Sequence, residues 1–304
     1  MISCPLPADY PDTAVAIGKF EAIHLGHQQL IHELVAAAED GMLAAGVIAF
    51  DRHPNAILDP ANVPLPVIGP NQKRALFEQL GLDFFQELVF DSELASLSPQ
   101  EFVTRHLLPL RPKLVLVGED FRFGAKGAGD IEVLRAEGKK HGFIAKQVAT
   151  VMLGDTKVSA SNIRSLLDAG KVAEANLLLG RNHATEGIVE HGRKLGRELG
   201  FPTANIARDA EGYLPGDGVY AGYLICDGVR YPAAHSVGTN DSIAAVPRLL
   251  ESHVIGRDDL DLYDKQVRCE YVEQVRGWAK FSSIEELTQQ IANDVAEASA
   301  ILEL

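Results

Sequence analysis

The stretch TAVAIGKFEAIHLGHQQLIHELVAAAED, residues 13–40, carries two hydrophobic rhythms in one short span. Its first part, TAVAIGKF, is a nearly unbroken apolar run broken by a glycine, the mark of a strand buried on both faces. From Gly26 the rhythm changes, and Leu30, Leu34 and Ala37 recur on one face of a predicted helix. A buried strand that passes through a short loop into an amphipathic helix is half of a parallel β–α–β unit. The pattern repeats down the first half. AAGVIAF, FFQELVF, KLVLVGE and GFIAKQVA read as strands, alternating with helices near NQKRALFEQLG, after the start signal SPQEF at Ser98, and from about Asp130. This predicts an α/β domain with a parallel sheet, whose ligands bind beyond the C-terminal strand ends.

Two helical stretches follow, SASNIRSLLDAG and KVAEANLLLG, with Ser159 suited to an N-cap and Gly170 to a stop. After Gly180 the period becomes two. ATEGIVEHG, GVYAGYLICDGVRYPAAHSVG, RLLESHVIG and KQVRCEYVEQV are alternating segments, and CDG at 226–228 is a tight-hairpin signal. One amphipathic helix from about Ser283 ends the chain. The second half therefore predicts a small antiparallel β-barrel with a C-terminal helix, and the expected division is 1–182 and 183–304.

The 304 residues are 46% hydrophobic, ample for two cores. A net charge of −14 argues against nucleic-acid or anionic-membrane partners, while leaving room for a nucleotide held by a few cations and backbone amides. Cys4, Cys226 and Cys269 show neither C-x-x-C spacing nor a disulfide framework. No leader pattern and no apolar run of spanning length is read, so the expectation is a cytoplasmic protein acting on small molecules. A homo-oligomer is compatible with the sequence, which holds no signal for the number of copies.

His24 and His27 in HLGH admit several readings. A strand leading through glycine into a helix directs N–H groups and the positive helix end at one point, where phosphate binds. H-x-x-H also occurs in metal sites, yet no further His or Cys cluster has matching spacing. Core or cap histidines are the third reading. A Walker loop fails for want of G-x-x-x-x-G-K-[ST].

GKFEAIHLGH resembles the G-x-F-D-G-V-H-x-G-H signature of the nucleotidyltransferase superfamily, in the form found in the FMN adenylyltransferase half of bacterial bifunctional FAD synthetases. FDRHPNAIL (50–58), VGEDFRFGAKGAGD (117–130) and VSASNIR (158–164) are similar to three further segments of that family, in order. The resemblance implies a Rossmann-like nucleotidyltransferase-type domain in which FMN attacks the α-phosphorus of ATP and pyrophosphate leaves. It assigns Gly18, Lys19, Phe20, His24, His27, Ser159, Ser161 and Arg164 to ATP, and Asp51, Asp120, Phe121 and Arg122 to the flavin side. Catalysis would be positioning plus charge stabilisation. Glu21 and Ala22 depart from the family's Asp and Gly, and Ala160–Ser161 from its serine-threonine pair; at position 22, alanine removes the freedom for positive φ.

HGRKLGRELGFPTANI (191–206) resembles the riboflavin kinase signature. By that resemblance Gly192, Lys194 and Gly196 line the ATP phosphates, and Thr203 and Asn205 face Mg²⁺, a hard cation suited to a few oxygen ligands. GVYAGYL and SVGTN look like further kinase segments. LLESHVI places Glu251 as the base for the ribityl hydroxyl, and VRGWAKF places Arg276 beside the flavin. Asn240, Asp241, Ser242 and Ile243 depart from the family's Asn-Pro-Thr-Phe. The implied whole is a riboflavin kinase domain after an adenylyltransferase domain, making FMN and then FAD with ATP and Mg²⁺. Retention of only one of the two activities, the kinase in preference, and a non-catalytic flavin- or nucleotide-binding regulator are the alternatives.

Overall fold

The computed structural model describes residues 1–191, 196, 199–239 and 248–304, with Ser3 described by its backbone only. Packing divides the chain into two compact units, Met1–Ser159 and Ala160–Leu304.

The first unit is built on six strands: β1 (Ile2–Ser3), β2 (Thr13–Ile17), β3 (Ala44–Phe50), β4 (Phe84–Leu88), β5 (Pro112–Gly118) and β6 (Ile144–Val148). Their order is β1-β4-β3-β2-β5-β6, and every pairing is parallel. All five residues of β2 are buried, as its apolar run requires of a central strand. Helices α1 (Leu25–Gly41), α2 (Asn55–Leu58), α3 (Pro70–Gln79), α4 (Ser92–Ser96), α5 (Pro99–Phe102) and α6 (Ile131–His141) make the connections. The buried face of α1 is Leu30, Ile31, Leu34 and Ala38, so Ala38 takes the place expected for Ala37. The Ser98 signal is a true capping box with Glu101, although the helix it starts soon passes into a π turn at Val103–Leu107. A short hairpin, β7 (Met152–Leu153) and β8 (Thr156–Lys157), closes the unit. The chain runs outward from β2 through β3 to β4, then returns to lay β5 on the other side. β2 and β5 therefore flank the point where strand order reverses, the usual crevice for a ligand in such sheets.

The second unit opens with α7 (Ala160–Asp168) and α8 (Val172–Leu179). Six strands then form a closed antiparallel barrel in the order β10-β13-β12-β11-β14-β9. They are β9 (His183–Glu190), β10 (Thr203–Ile206), β11 (Gly218–Cys226), β12 (Val229–Gly238), β13 (Leu249–Val254) and β14 (Gln266–Gly277). Asp227 and Gly228, at φ 51° and 77°, make the expected tight turn between β11 and β12. The final helix, α9 (Ile284–Ile301), is capped by Ser283 and packs on the barrel through Ala298 and Leu302.

The packing division falls earlier than the 182/183 boundary expected from sequence. The physical reason is that α8 buries Val172, Ala175, Leu178 and Leu179 and is tied to the barrel. The Asn176 amide donates to the Tyr271 carbonyl at 2.8 Å, and its oxygen accepts from the His183 N–H at 2.7 Å. Among the described residues, all three cysteines are free, and no helix is long and apolar enough to cross a membrane.

Candidate active sites

In the first unit, β2 delivers Gly18, Lys19 and Phe20 to the strand-order switch, and Gly18 N–H bonds the Ile48 carbonyl of β3. His24 is the N-cap of α1: its Nδ1 accepts from the His27 N–H at 3.4 Å. That leaves the proton of a neutral ring on Nε2. The two imidazoles stack at 3.9 Å between centroids, 14° apart. His24 is thus a helix cap, and it stands on the turn at which the phosphate reading places it. Positive φ falls on Phe20 (48°) and Ile23 (44°), not on Ala22, so alanine at position 22 carries no left-handed strain. Ile23 does carry it, and being β-branched it is an unusual residue for that region.

Beside this turn, β5 ends at Gly118 and brings in Asp120. The Lys157 ammonium, 3.0 Å away, holds the Asp120 carboxyl below the usual carboxylate range, and Lys19 adds to that field. Phe121 stacks on Phe123, which is core, while the Arg122 guanidinium is exposed and pairs at 3.3 Å with Asp130, the cap of α6. Asp51 is engaged elsewhere. Burial alone would raise its carboxyl, but Arg52 and the Phe90 N–H outweigh that and hold it low. It shapes the turn after β3. His53, Lys73 and Lys157 contact Glu21, the Phe50 carbonyl and Asp120 respectively, and the sequence reading singled out none of them. They come from a turn, a helix and a hairpin with no common spacing, and no periodic signal could have joined them. Ser159 ends the first unit, and Ser161 and Arg164 lie on α7 of the second. An Arg164 N–H reaches the Ser161 hydroxyl at 3.5 Å, one turn back.

The barrel gathers its candidates by register. Asn205 of β10 lies directly opposite Glu251 of β13, and Glu251 opposite Ser236 of β12; Thr203 faces His253. Ala204, Ile206, Leu250, Ser252 and Val254 point inward and are buried, so Thr203, Asn205 and Glu251 share the outer face. Gly196 stands against the start of β10: a Cβ there would meet the Phe201 carbonyl at 2.4 Å and the Thr203 hydroxyl at 3.3 Å. Only glycine permits that approach. His253 Nδ1 bonds the Pro202 carbonyl at 2.9 Å and braces the same strand start, a residue the motifs did not single out. A small open cleft adjoins Thr203, lined by Val189, Pro202, Leu260 and Tyr263 together with the charged Arg257 and Asp258. Gly192, Lys194 and the Asn240–Ile243 departures (240–243) lie outside the described residues.

Arg276 reaches the same cross-strand row, opposite Val219, which is itself opposite Ser236. Its fork, however, is spent on Asp294 of α9, with contacts of 2.8 and 3.0 Å. Trp278 is exposed and closes no core. Among the described residues no group of three or more His, Cys, Asp or Glu could hold a metal ion by itself. Thr203 and Asn205, beside Glu251, instead fit an Mg²⁺ that takes most of its ligands from phosphate and water.

Residues 6–162 match the family model for FAD synthetase, and residues 179–302 that for riboflavin kinase. The chain is 32% identical over 291 residues to the bifunctional riboflavin kinase/FMN adenylyltransferase of Bacillus subtilis, covering 94% of this chain and 91% of that one. It is 32% identical over 282 residues to the enzyme of the same name from Escherichia coli K12, covering 92% and 90%. Among solved structures, a chain described as a macrolide-efflux protein from Streptococcus pneumoniae superposes with a TM-score of 0.86 at 29% identity, covering 96% of each chain.

Proposed function

The chain belongs to the bifunctional riboflavin kinase/FMN adenylyltransferase family, and from that premise we propose how its own residues make FAD from riboflavin. The observation that carries the reading is the barrel register that sets Asn205 opposite Glu251 on one outer face. A carboxylate beside an amide oxygen and a threonine hydroxyl is what phosphoryl transfer to an alcohol needs: a base at the nucleophile and ligands at the phosphates.

In the kinase step, Glu251 takes the proton from the ribityl hydroxyl as that oxygen attacks the γ-phosphorus of ATP, and ADP leaves. Thr203 and Asn205 orient the phosphates, with Gly196 allowing the close approach and Gly192 and Lys194 proposed beside it. Mg²⁺, when bound through Thr203 and Asn205, neutralises charge on the transferring phosphoryl group. Arg276 holds α9 against the barrel and thereby shapes the flavin side.

In the adenylyl step, a phosphate oxygen of FMN attacks the α-phosphorus of ATP and pyrophosphate departs. His24, through Nε2, and His27 donate to phosphate oxygens at the positive end of α1. Gly18 and Phe20 shape that turn and Lys19 adds a cation. Ser159, Ser161 and Arg164 receive the departing pyrophosphate, Arg164 as a planar fork. Asp120, Phe121 and Arg122 form the flavin side, and Asp51 fixes the turn beside it. We assign 1–182 to adenylyl transfer and 183–304 to the kinase, and place the protein in the cytoplasm.

Purified protein supplied with riboflavin, ATP and Mg²⁺, with flavins resolved over time, tests the reading. FMN followed by FAD is expected. FMN accumulating without FAD would remove the adenylyltransferase assignment, and no product at all would leave a binding protein.

A further inference from the structure

Lys73 is a lysine where a lysine is expensive to keep. It sits on the second turn of α3, is 8% exposed, and burial pushes its ammonium below the ordinary lysine range, although Glu87, Glu21 and Asp51 pull it back. Its Nζ donates to the Phe50 carbonyl at 3.2 Å. That carbonyl ends β3, where the chain leaves the sheet for Asp51 and His53. One turn further along the same helix face, Phe77 packs edge-on against Phe20 at 5.4 Å, and Phe20 in turn packs on His27 at 5.0 Å. One face of α3 thus supports both the phosphate turn and the exit of β3.

Above Lys73, the two segments meet through side chains. Asn55 N–H donates to His53 Nδ1 at 3.0 Å, so a neutral His53 ring carries its proton on Nε2. That nitrogen lies 3.2 Å from the Glu21 carboxylate and 3.4 Å from the Lys19 ammonium. Glu21 and His53 are each nearly covered, with side chains 12% and 14% exposed, so their mutual geometry is held. Lys19 is the cation of this group that opens onto solvent.

We propose that Lys73 is a positioning residue for adenylyl transfer: its bond to the Phe50 carbonyl fixes the end of β3, and with it the His53–Glu21 pair that ties that turn to the phosphate turn after β2. The inference rests on the adenylyltransferase reading given above. It requires the donor of Lys73, not merely its bulk.

The test uses the full chain with Lys73→Met, Lys73→Arg, Glu21→Gln and the Lys73→Met/Glu21→Gln double variant. Steady-state FAD formation from supplied FMN and ATP is measured, with riboflavin phosphorylation as the control. Lys73→Met is expected to lower kcat for FAD formation by about tenfold while the KM for FMN moves by less than about threefold. Lys73→Arg should recover most of the loss, and kinase turnover should be unchanged. Glu21→Gln should lower kcat by a similar factor, and the double variant should be little worse than either single change. Full activity in Lys73→Met, equal losses in the Met and Arg variants, or multiplying losses in the double variant would each overturn the proposal. Should Lys73→Met not fold, full activity in Glu21→Gln would overturn it just as well. A wild-type chain that makes FMN but no FAD would instead refute the reading beneath it.

Discussion

Glu251 and Asn205 meet only because β10 and β13 pair in one register, and that meeting sets what each can be tested for. Glu251→Gln keeps the shape and a hydrogen-bonding group but removes the base. FMN formation from riboflavin should fall by about 10²–10⁴-fold, while FAD formation from supplied FMN persists. His27→Ala should do the reverse, and unchanged FAD formation in that variant would remove the histidine from the phosphate site. Two other histidines act on stability. His235, fully buried, bonds Ser252 and the Glu270 carbonyl and lies beside Tyr271; burial pushes its pKa down to about 4. His183 is likewise pushed down to about 4 by burial, with Arg181 and Arg268 adding to the effect against the bond to the Tyr213 carbonyl. Both are neutral in the fold, and the unfolded chain binds their protons first. Stability is therefore full above the ordinary histidine range and falls as pH drops from about 6.5 towards 4, by up to about 3 kcal/mol for each. Thermal melting of the barrel across that window should show the slope, and His235→Gln should reduce it.

At the scale of elements, helix ends and one buried ion pair carry the argument. Asp130 accepts from Glu132 N–H at 3.0 Å and Val133 N–H at 3.1 Å, and Asp130→Ala should cost the first unit about 1 kcal/mol in denaturant titrations. The Arg276–Asp294 pair fastens α9 to the barrel, and Asp294 is only 4% exposed. Removing Asp294 leaves the half-buried Arg276 guanidinium without its carboxylate, so Asp294→Ala should destabilise the barrel unit by about 1–3 kcal/mol. A melting midpoint equal to wild type would show that α9 is held by Ala298 and Leu302 alone. Most elements were legible in advance because each carries its own period and its own stops: the apolar run of β2, the Ser98 box, the Asp130 and Ser283 caps, the Asp-Gly turn. What failed was local detail. Ala38 replaced Ala37 because the face of α1 is set by the sheet it meets. The pairing of Arg276 with Asp294 was not legible, because it depends on where α9 crosses β14.

For the molecule as a whole, the packing division at 159/160 and the proposed functional division at 182/183 differ by two helices. A fragment beginning at residue 160 keeps α7 and α8 on the barrel. One beginning at 183 bares the surface that Ala175, Leu178 and Leu179 cover, and loses the hydrogen bonds of Asn176 to Tyr271 and His183. The shorter fragment should be less stable by several kcal/mol, about what burying two or three such side chains is worth; equal stability in urea would show that α8 is an appendage.

The sequence by itself determined the two architectures and their order, and pointed to the segments proposed to handle phosphate. Those properties are written in periodicity, in glycine and cap residues, and in motifs whose members are neighbours in the chain. The tertiary structure alone decided which residues meet: Asn205 with Glu251, Glu21 with His53, and Lys73 with the end of β3. Such contacts depend on strand order, register and helix docking, which bring together residues whose separation along the chain follows no period.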